Sequence, residues 1–301
     1  MNEIIITGST GFVGHNLCIS FEKKYNIKTL SRSQLQNINS KELNGVYALI
    51  HLAGKAHDVK NVSNPSEYYE VNYQLTKKLF DAFIESTATV FVFMSSVKAV
   101  ADEVAGALTE ELVPNPKTHY GISKQKAEEY ILSSKIPTNK RVYILRPSLI
   151  HGPGNKGNLN LLYQIVSKNI PWPLASFQNQ RSFCSIENVI FVINELLIRE
   201  DIPFGVYNIA DDDPISTNEL IQLIAQSRQN KAHLLYFPIS FIKILARLGD
   251  LLHLPLNTER LQKLTEDYQV SNNKLVKELG KPLPVKVREG LLKTIQSFNT
   301  I

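Results

Sequence analysis

Cysteine is almost missing from this chain: two residues in 301, Cys18 and Cys184, with no C-x-x-C pair and no histidine/cysteine cluster at metal-ligand spacing. That scarcity excludes a disulfide framework and a structural zinc site, and it points to a reducing compartment. Nothing resembles a secretory leader either, because Met1-Asn2-Glu3 runs straight into a strand-like apolar segment with no basic region or cleavage site, so none is expected. The expected location is the cytoplasm. No apolar run is long enough for an integral membrane segment: the longest candidate, Phe237 to Leu256, is broken by Lys243, Arg247 and Asp250 at helical spacing. This pattern predicts an amphipathic helix, read first as one that covers a core, with surface association with a membrane as the alternative. There is no concentrated basic stripe either. The net charge of +5 suits an anionic small molecule and argues against nucleic acid. No internal repeat occurs, and with 43% hydrophobic residues the chain can bury one large core or two coupled ones.

What is present is alternation. Short β-branched or aromatic runs at Ile4 to Thr7, Ile27 to Ser31, Ala48 to Leu52, Val90 to Ser95 and Arg141 to Leu145 are separated by longer helix-like stretches. Such alternation means βαβ units and a parallel sheet. The runs ALIHLAG (48 to 54) and TVFVFMSS (89 to 96) are almost wholly apolar, as strands covered on both faces are. Beyond Pro147 the chain becomes loop-rich, then offers GVYNIA as a further strand and several helices. The expected fold class is α/β: a Rossmann-type doubly wound parallel sheet from residues 1–150 and about 186–212, with a smaller α/β substrate-binding cap from about 151–185 and 213–301.

The segment ITGSTGFVGHNL (6 to 17) places Gly8, Gly11 and Gly14 directly after the first strand. At such a turn one glycine permits the tight reversal, one admits a pyrophosphate to the backbone, and one lets the helix pack close to the sheet. The helix N-terminus then faces the anion. The second strand ends KTLSRSQ, where an NAD site carries an acid for the ribose and an NADP site an arginine. Ser31-Arg32 without an acid points to NADP(H), with NAD(H) as the alternative.

HYGISKQKAEEY (119 to 130) holds Tyr120 and Lys124 four apart, on one face of a helix. FMSSVK ends an apolar strand with Ser95 and Ser96 at the carboxyl edge of the sheet, where open α/β sheets bind ligands. Together the three groups make a proton-transfer set. Tyr120 exchanges a proton with an alcohol or sugar oxygen, Ser96 orients that oxygen, and the Lys124 charge favours the tyrosinate.

With these residues in hand the chain resembles the extended short-chain dehydrogenase/reductase family, in its nucleotide-sugar epimerase, dehydratase and reductase branch. The likeness rests on Gly8, Gly11 and Gly14 with Phe12-Val13, on HLAG with Leu52, Ala53 and Gly54, and on EVNYQLTKKL around Asn72. It rests further on Ser96, Tyr120 and Lys124, on LRPSLIHGPG (145 to 154) and on QRSF (180 to 183). The resemblance implies a nicotinamide cofactor held by these loops, its ribose against Tyr120 and Lys124 and its ring near Pro147, Ser148 and Leu149. It also implies a cap that binds a UDP-sugar, with Asn158-Leu159 beside the diphosphate, Arg181 on the phosphates and Arg260 a further phosphate candidate. An arginine can grip a phosphate through two parallel hydrogen bonds. Ser96, Val97 and Lys98 would form a pocket segment, with His57 and Trp172 as pocket-lining candidates. The plainer alternatives are a loop cap for Asn158, an ion pair for Arg181 and packing for His57 and Trp172.

Departures from the family pattern narrow the reaction. Dehydratases follow the active-site hydroxyl with an Asp-Glu pair, and this chain has Val97-Lys98. Ala99-Val100-Ala101 replaces the epimerases' V-Y-G, and His151 stands where tyrosine is usual. The resemblance therefore implies reduction of the C4 ketone of a UDP-4-keto-6-deoxy-N-acetylhexosamine for bacterial surface polysaccharide. The alternatives are 4-epimerisation of UDP-GlcNAc or UDP-Glc, and a non-catalytic cofactor-binding scaffold. A homodimer paired through the Tyr120 helix and its neighbour is the implied assembly.

Overall fold

The computed structural model of the chain describes residues 1–55, 64–155, 158–252, 254 and 256–298. The first half forms β1 (Glu3–Thr7), α1 (Phe12–Phe21), β2 (Asn26–Thr29), α2 (Arg32–Gln36), β3 (Ala48–His51), α3 (Pro65–Tyr68), α4 (Leu75–Glu85), β4 (Val90–Met94), β5 (Ala107–Leu108), α5 (His119–Ser133) and β6 (Arg141–Pro147). There follow β7 (Leu149–His151), α6 (Asn158–Ser167), β8 (Phe183–Ser185), α7 (Ile186–Ile198), β9 (Gly205–Ile209), α8 (Thr217–Ser227), α9 (Ile239–Leu252), α10 (Thr258–Thr265), β10 (Gln269–Val270), α11 (Asn273–Leu279) and α12 (Val287–Ser297).

Six strands form one sheet in the order β2-β1-β3-β4-β6-β9, every pair parallel. Successive residues of each central strand enter opposite cores, which explains the unbroken apolar runs. Ile4, Ile6, Val90 and Val92 pack with Leu17 and Phe21 of α1 and Val189 and Val192 of α7. Ile5, Leu49, Phe91 and Phe93 turn the other way, onto Phe80 and Phe83 of α4 and Ile131 of α5. The chain leaves β1 on one side for β2 and comes back on the other as β3, so a crevice opens at the carboxyl ends of β1 and β3. A third core joins Leu162 of α6, Trp172, Leu220 and Ile224 of α8, and Leu291 and Ile295 of α12.

The strand ends differ from the sequence expectation by a few residues, and side-chain chemistry gives the reason. The second strand stops at Thr29 rather than Ser31, because Ser31 is the N-cap of α2: its hydroxyl accepts from Gln34 N at 3.4 Å, while Gln34 Oε1 accepts from Ser31 N at 2.8 Å. Local hydrogen bonds of this kind compete with the sheet ladder. The helix expected within 237 to 256 forms as α9, but it covers little core. It buries only Ile242, Ala246 and Gly249, and its larger apolar side chains are exposed. The narrow stripe follows from close approach of the returning chain, since a Cβ at Gly249 would lie 1.8 Å from the Leu256 carbonyl oxygen. Among the described residues no helix is long and apolar enough to cross a membrane.

Candidate active site

At the turn after β1 the backbone is possible only without side chains. Gly8 has φ +70°, and a Cβ there would lie 2.7 Å from Ala53 N; one at Gly14 would lie 2.2 Å from Gly8 O. Gly11 caps α1 without a side-chain hydrogen bond, and the first turn of α1 carries no acid. The amide donors of that turn are thus open to an anion on a surface with no bulk, a cradle that fits a pyrophosphate. Phe12 and Val13 are half-buried against the sheet behind it.

The opposite wall, Leu52 to Gly54, is held by a chain of hydrogen bonds from β1 to α4. Thr7 Oγ1 accepts from Leu52 N at 3.2 Å and Ala53 N at 3.0 Å, and lies 2.8 Å from His51 Nδ1. His51 Nε2 meets Thr76 Oγ1 at 2.9 Å, and that hydroxyl donates to Asn72 O at 2.8 Å. Burial, aided by the Lys124 charge, lowers the His51 pKa to about 3, so the ring is neutral. Because Thr76 spends its proton on Asn72 O, the network assigns the His51 proton to Nε2. Asn72 sits in a single π-helical turn (69 to 74), accepts from Lys55 N at 2.8 Å, and donates to Lys55 O at 3.1 Å and Ser123 Oγ at 3.0 Å. Gly54 lies between them: a Cβ there would stand 3.1 Å from Asn72 Oδ1 and 3.2 Å from Lys124 Nζ.

Ser96, Tyr120 and Lys124 meet because α5 seats directly on the turn after β4. Thr118 caps α5 by accepting from Gly121 N at 3.2 Å, and a Cβ at Gly121 would come within 2.3 Å of Lys98 O. This approach brings the Tyr120 phenol into hydrogen bond with Ser96. Burial raises the Tyr120 pKa above its ordinary value, the Ser96 bond partly offsets this, and the Tyr68 ring stands edge-on at 6.3 Å. Lys124 is buried, donates to Met94 O at 2.8 Å and lies 4.8 Å over the Phe93 ring. Burial pulls its pKa down to about 8, against the pull of the Glu128 carboxylate. In this arrangement the Lys124 ammonium faces the Met94 carbonyl, and the phenol is governed by burial and Ser96.

Behind Lys124 lies a pair that sequence reasoning missed. Glu128, one turn further along α5, takes hydrogen bonds from Arg146 Nε at 3.0 Å and Nη2 at 2.5 Å, and from the Ser95 hydroxyl. Both charged residues are buried. The available signal was an arginine inside a strand otherwise apolar on both faces, since such a charge needs a buried partner. At the end of β6, Pro147 and Ser148 are buried and Leu149 is exposed. Ser148 Oγ has no hydrogen-bond partner among the described residues, an unmet polar group at the place implied for the nicotinamide.

On the cap side, Arg181 Nη1 donates to Lys263 O at 2.9 Å, its Nη2 lies 3.8 Å from Glu266, and its buried Nε has no hydrogen-bond partner among the described residues. Lys98 donates to Asp102 O at 2.7 Å and lies 4.1 Å over the Tyr268 ring. Glu266 is felt by both cations, so the structure gathers Lys98 and Arg181 about one carboxylate, while Val97 is buried. Leu159 and Trp172 are packed into the cap core, and Arg260 lies on an exposed face of α10. Arg32 is exposed at the start of α2, beyond the carboxyl end of β2. His57 lies outside the described residues, as does the side chain of Asn158, whose backbone opens α6. His151 now has an explanation. It is buried between Asp211 Oδ2 at 3.1 Å and Thr294 Oγ1 at 2.9 Å, tying β7 to α12 where a tyrosine would have to project elsewhere.

The family model described as "NAD dependent epimerase/dehydratase family" matches residues 4–210. The chain belongs to this family. It is 30% identical to a UDP-glucose 4-epimerase of Vibrio cholerae, over 98% of this chain and 95% of that protein. It is 28% identical, over the same shares, to the N-acetyl-alpha-D-glucosaminyl-diphospho-ditrans,octacis-undecaprenol 4-epimerase of Escherichia coli O157:H7. In fold it is similar to MoeE5 in complex with UDP-glucuronic acid and NAD, with a TM-score of 0.77, 18% identity and 99% of each chain covered. Membership makes the protein an NAD(P)-dependent enzyme of the extended short-chain dehydrogenase/reductase type. The glycine cradle, the open amides of α1 and the orphan Ser148 hydroxyl fit such a cofactor.

Proposed function

We propose that the enzyme works at C4 of a UDP-linked hexosamine, using NADPH to reduce the ketone of a UDP-4-keto-6-deoxy-N-acetylhexosamine for surface-polysaccharide synthesis. The observation that carries this reading is the Ser96–Tyr120 hydrogen bond at the carboxyl edge of the sheet, with a phenol held protonated by burial and no carboxylate pair after Ser96. A protonated phenol is the form that ketone reduction consumes. When bound, a nicotinamide supplies the hydride. Tyr120 gives its proton to the C4 oxygen as charge builds there, and Ser96 holds the same oxygen. Lys124, buried in the same cleft with its ammonium on Met94 O, offers its remaining donors to the cofactor ribose. Lys98 and Arg181 offer cationic donors for the diphosphate. Exposed Arg32 beyond β2, with no acid at that strand end, supports NADP(H) over NAD(H). We read the protein as a cytoplasmic homodimer paired through α4 and α5, where Leu132 is exposed.

A second reading, 4-epimerisation of a hexose carried on a diphosphate, is favoured by the two relatives named above. Their substrates share that sugar-diphosphate unit and differ in what the diphosphate is attached to. The two readings separate in a paired assay: purified enzyme and NADPH or NADH with either a UDP-4-keto-6-deoxy sugar or UDP-GlcNAc, followed by absorbance of the reduced cofactor and by the sugar formed. Stoichiometric loss is the expected result. Interconversion of UDP-GlcNAc and UDP-GalNAc with no loss establishes the epimerase instead. Tyr120→Phe should lower turnover about 10²- to 10⁴-fold with the cofactor still bound. Unchanged turnover would remove the phenol from the chemistry.

A further inference from the structure

We infer that α9 is a membrane-docking helix, which seats the enzyme on an anionic lipid surface. Its buried stripe is Ile242, Ala246 and Gly249. Around the other side Phe241, Ile244, Leu248, Leu251 and Leu252 form one apolar face, with Ile244 55%, Leu251 74% and Leu252 63% exposed. At 100° per residue these five span about a third of the helix circumference. The segment leading in continues the face with Phe237, whose ring lies 6.1 Å from that of Phe241, and next to it Tyr236 is exposed, an amphipathic ring of the kind enriched at lipid–water boundaries.

Charge selects the occupant. Lys243 and Arg247 lie along one border of the apolar face, and neither forms an ion pair among the described residues. The helix's single acid, Asp250, accepts from Thr258 N at 3.1 Å and is turned toward α10. Lys243 and Arg247 also line a cavity of about 360 Å³ with Phe177, Leu261 and Gln262, which keeps both cations at the edge of the seat. An apolar face bordered by unpaired cations is the signature of a helix lying in the plane of an anionic bilayer. A second copy would bring the same two cations against this border and be repelled, and a protein partner would need an acidic rim to match it. The seat adjoins the candidate site, because Gln262 of α10 donates to Glu103 at 2.5 Å in the loop that follows Lys98.

The test is independent of the substrate. Full-length enzyme is sedimented with vesicles of phosphatidylcholine alone and of phosphatidylcholine mixed with phosphatidylglycerol. Binding is expected to the mixed vesicles and to weaken with salt. Lys243→Gln with Arg247→Gln should reduce it about twenty-five-fold, at about five-fold per basic side chain. Ile244→Gln with Leu248→Gln and Leu251→Gln should abolish it, while the melting temperature and turnover of a water-soluble substrate stay at the parent values, since these side chains are exposed and outside the site. Failure of the parent enzyme to bind mixed vesicles overturns the inference, as does binding that survives the triple substitution. An oligomer in light scattering that the triple variant dissociates, without lipid binding by the parent, would reassign the face to a second copy of the chain.

Discussion

Replacing Lys124 by methionine should make the cofactor-free protein more stable while disabling it. Lys124 ionises at about 8 rather than 10.5, because burial penalises its charged form. Carrying that charge at neutral pH therefore costs the fold about 3 kcal/mol. The sign is fixed by proton counting. Between about 8 and 10.5 the unfolded chain keeps a proton that the folded chain has released, so unfolding free energy rises with pH across this window and this group's contribution is flat outside it. Methionine fills similar volume with no proton to lose, so the slope disappears. At neutral pH the variant should be stabler than the parent, by an amount reduced below about 3 kcal/mol because Met94 O and Glu128 lose their partner. The more secure quantity is the difference between the two proteins, which should shrink by about 2 kcal/mol or more as pH rises from about 7 to about 10. Urea melts read by circular dichroism and by the single tryptophan, Trp172, give both curves; the two probes must coincide for the free energies to be meaningful. Stability curves that run parallel across this range would refute the argument that Lys124 is buried with its charge.

Two further substitutions probe the frame around the site. Gly121→Ala puts a Cβ against the Lys98 carbonyl, a backbone atom that cannot swing aside; it should destabilise the fold by about 1–3 kcal/mol and lower kcat more than it raises KM, checked by melts and steady-state rates. Arg146→Met strands the Glu128 carboxylate and should remove about 3–5 kcal/mol, with Glu128→Leu in the same chain recovering most of it in thermal unfolding.

The parallel strands, the glycine turn and the Ser96, Tyr120, Lys124 set were legible in the sequence because their signals are local: short unbroken apolar runs, a fixed glycine spacing, a four-residue step on a helix. The pairing of Arg146 with Glu128 was not, since the two come together only when β6 and α5 share a core. Asn72 carried a motif but no hint that it would bind both backbone groups of Lys55. Helix α9 shows the same limit from the other direction. The spacing of its charges identified an amphipathic helix, but whether another element covers its apolar side chains depends on the path of the whole chain. Trp172 and Leu159 show how packing claims residues that composition alone leaves open.

The seating of Gly121 on Lys98 O has a bearing on how such an enzyme can diversify. The separation of phenol from hydroxyl is set by main chain touching main chain, so gradual replacement of the surrounding side chains leaves the reacting pair in register. Under the proposed function, change in the segment that carries Arg181 and in α10 would alter which sugar is accepted without retuning Tyr120 as proton donor.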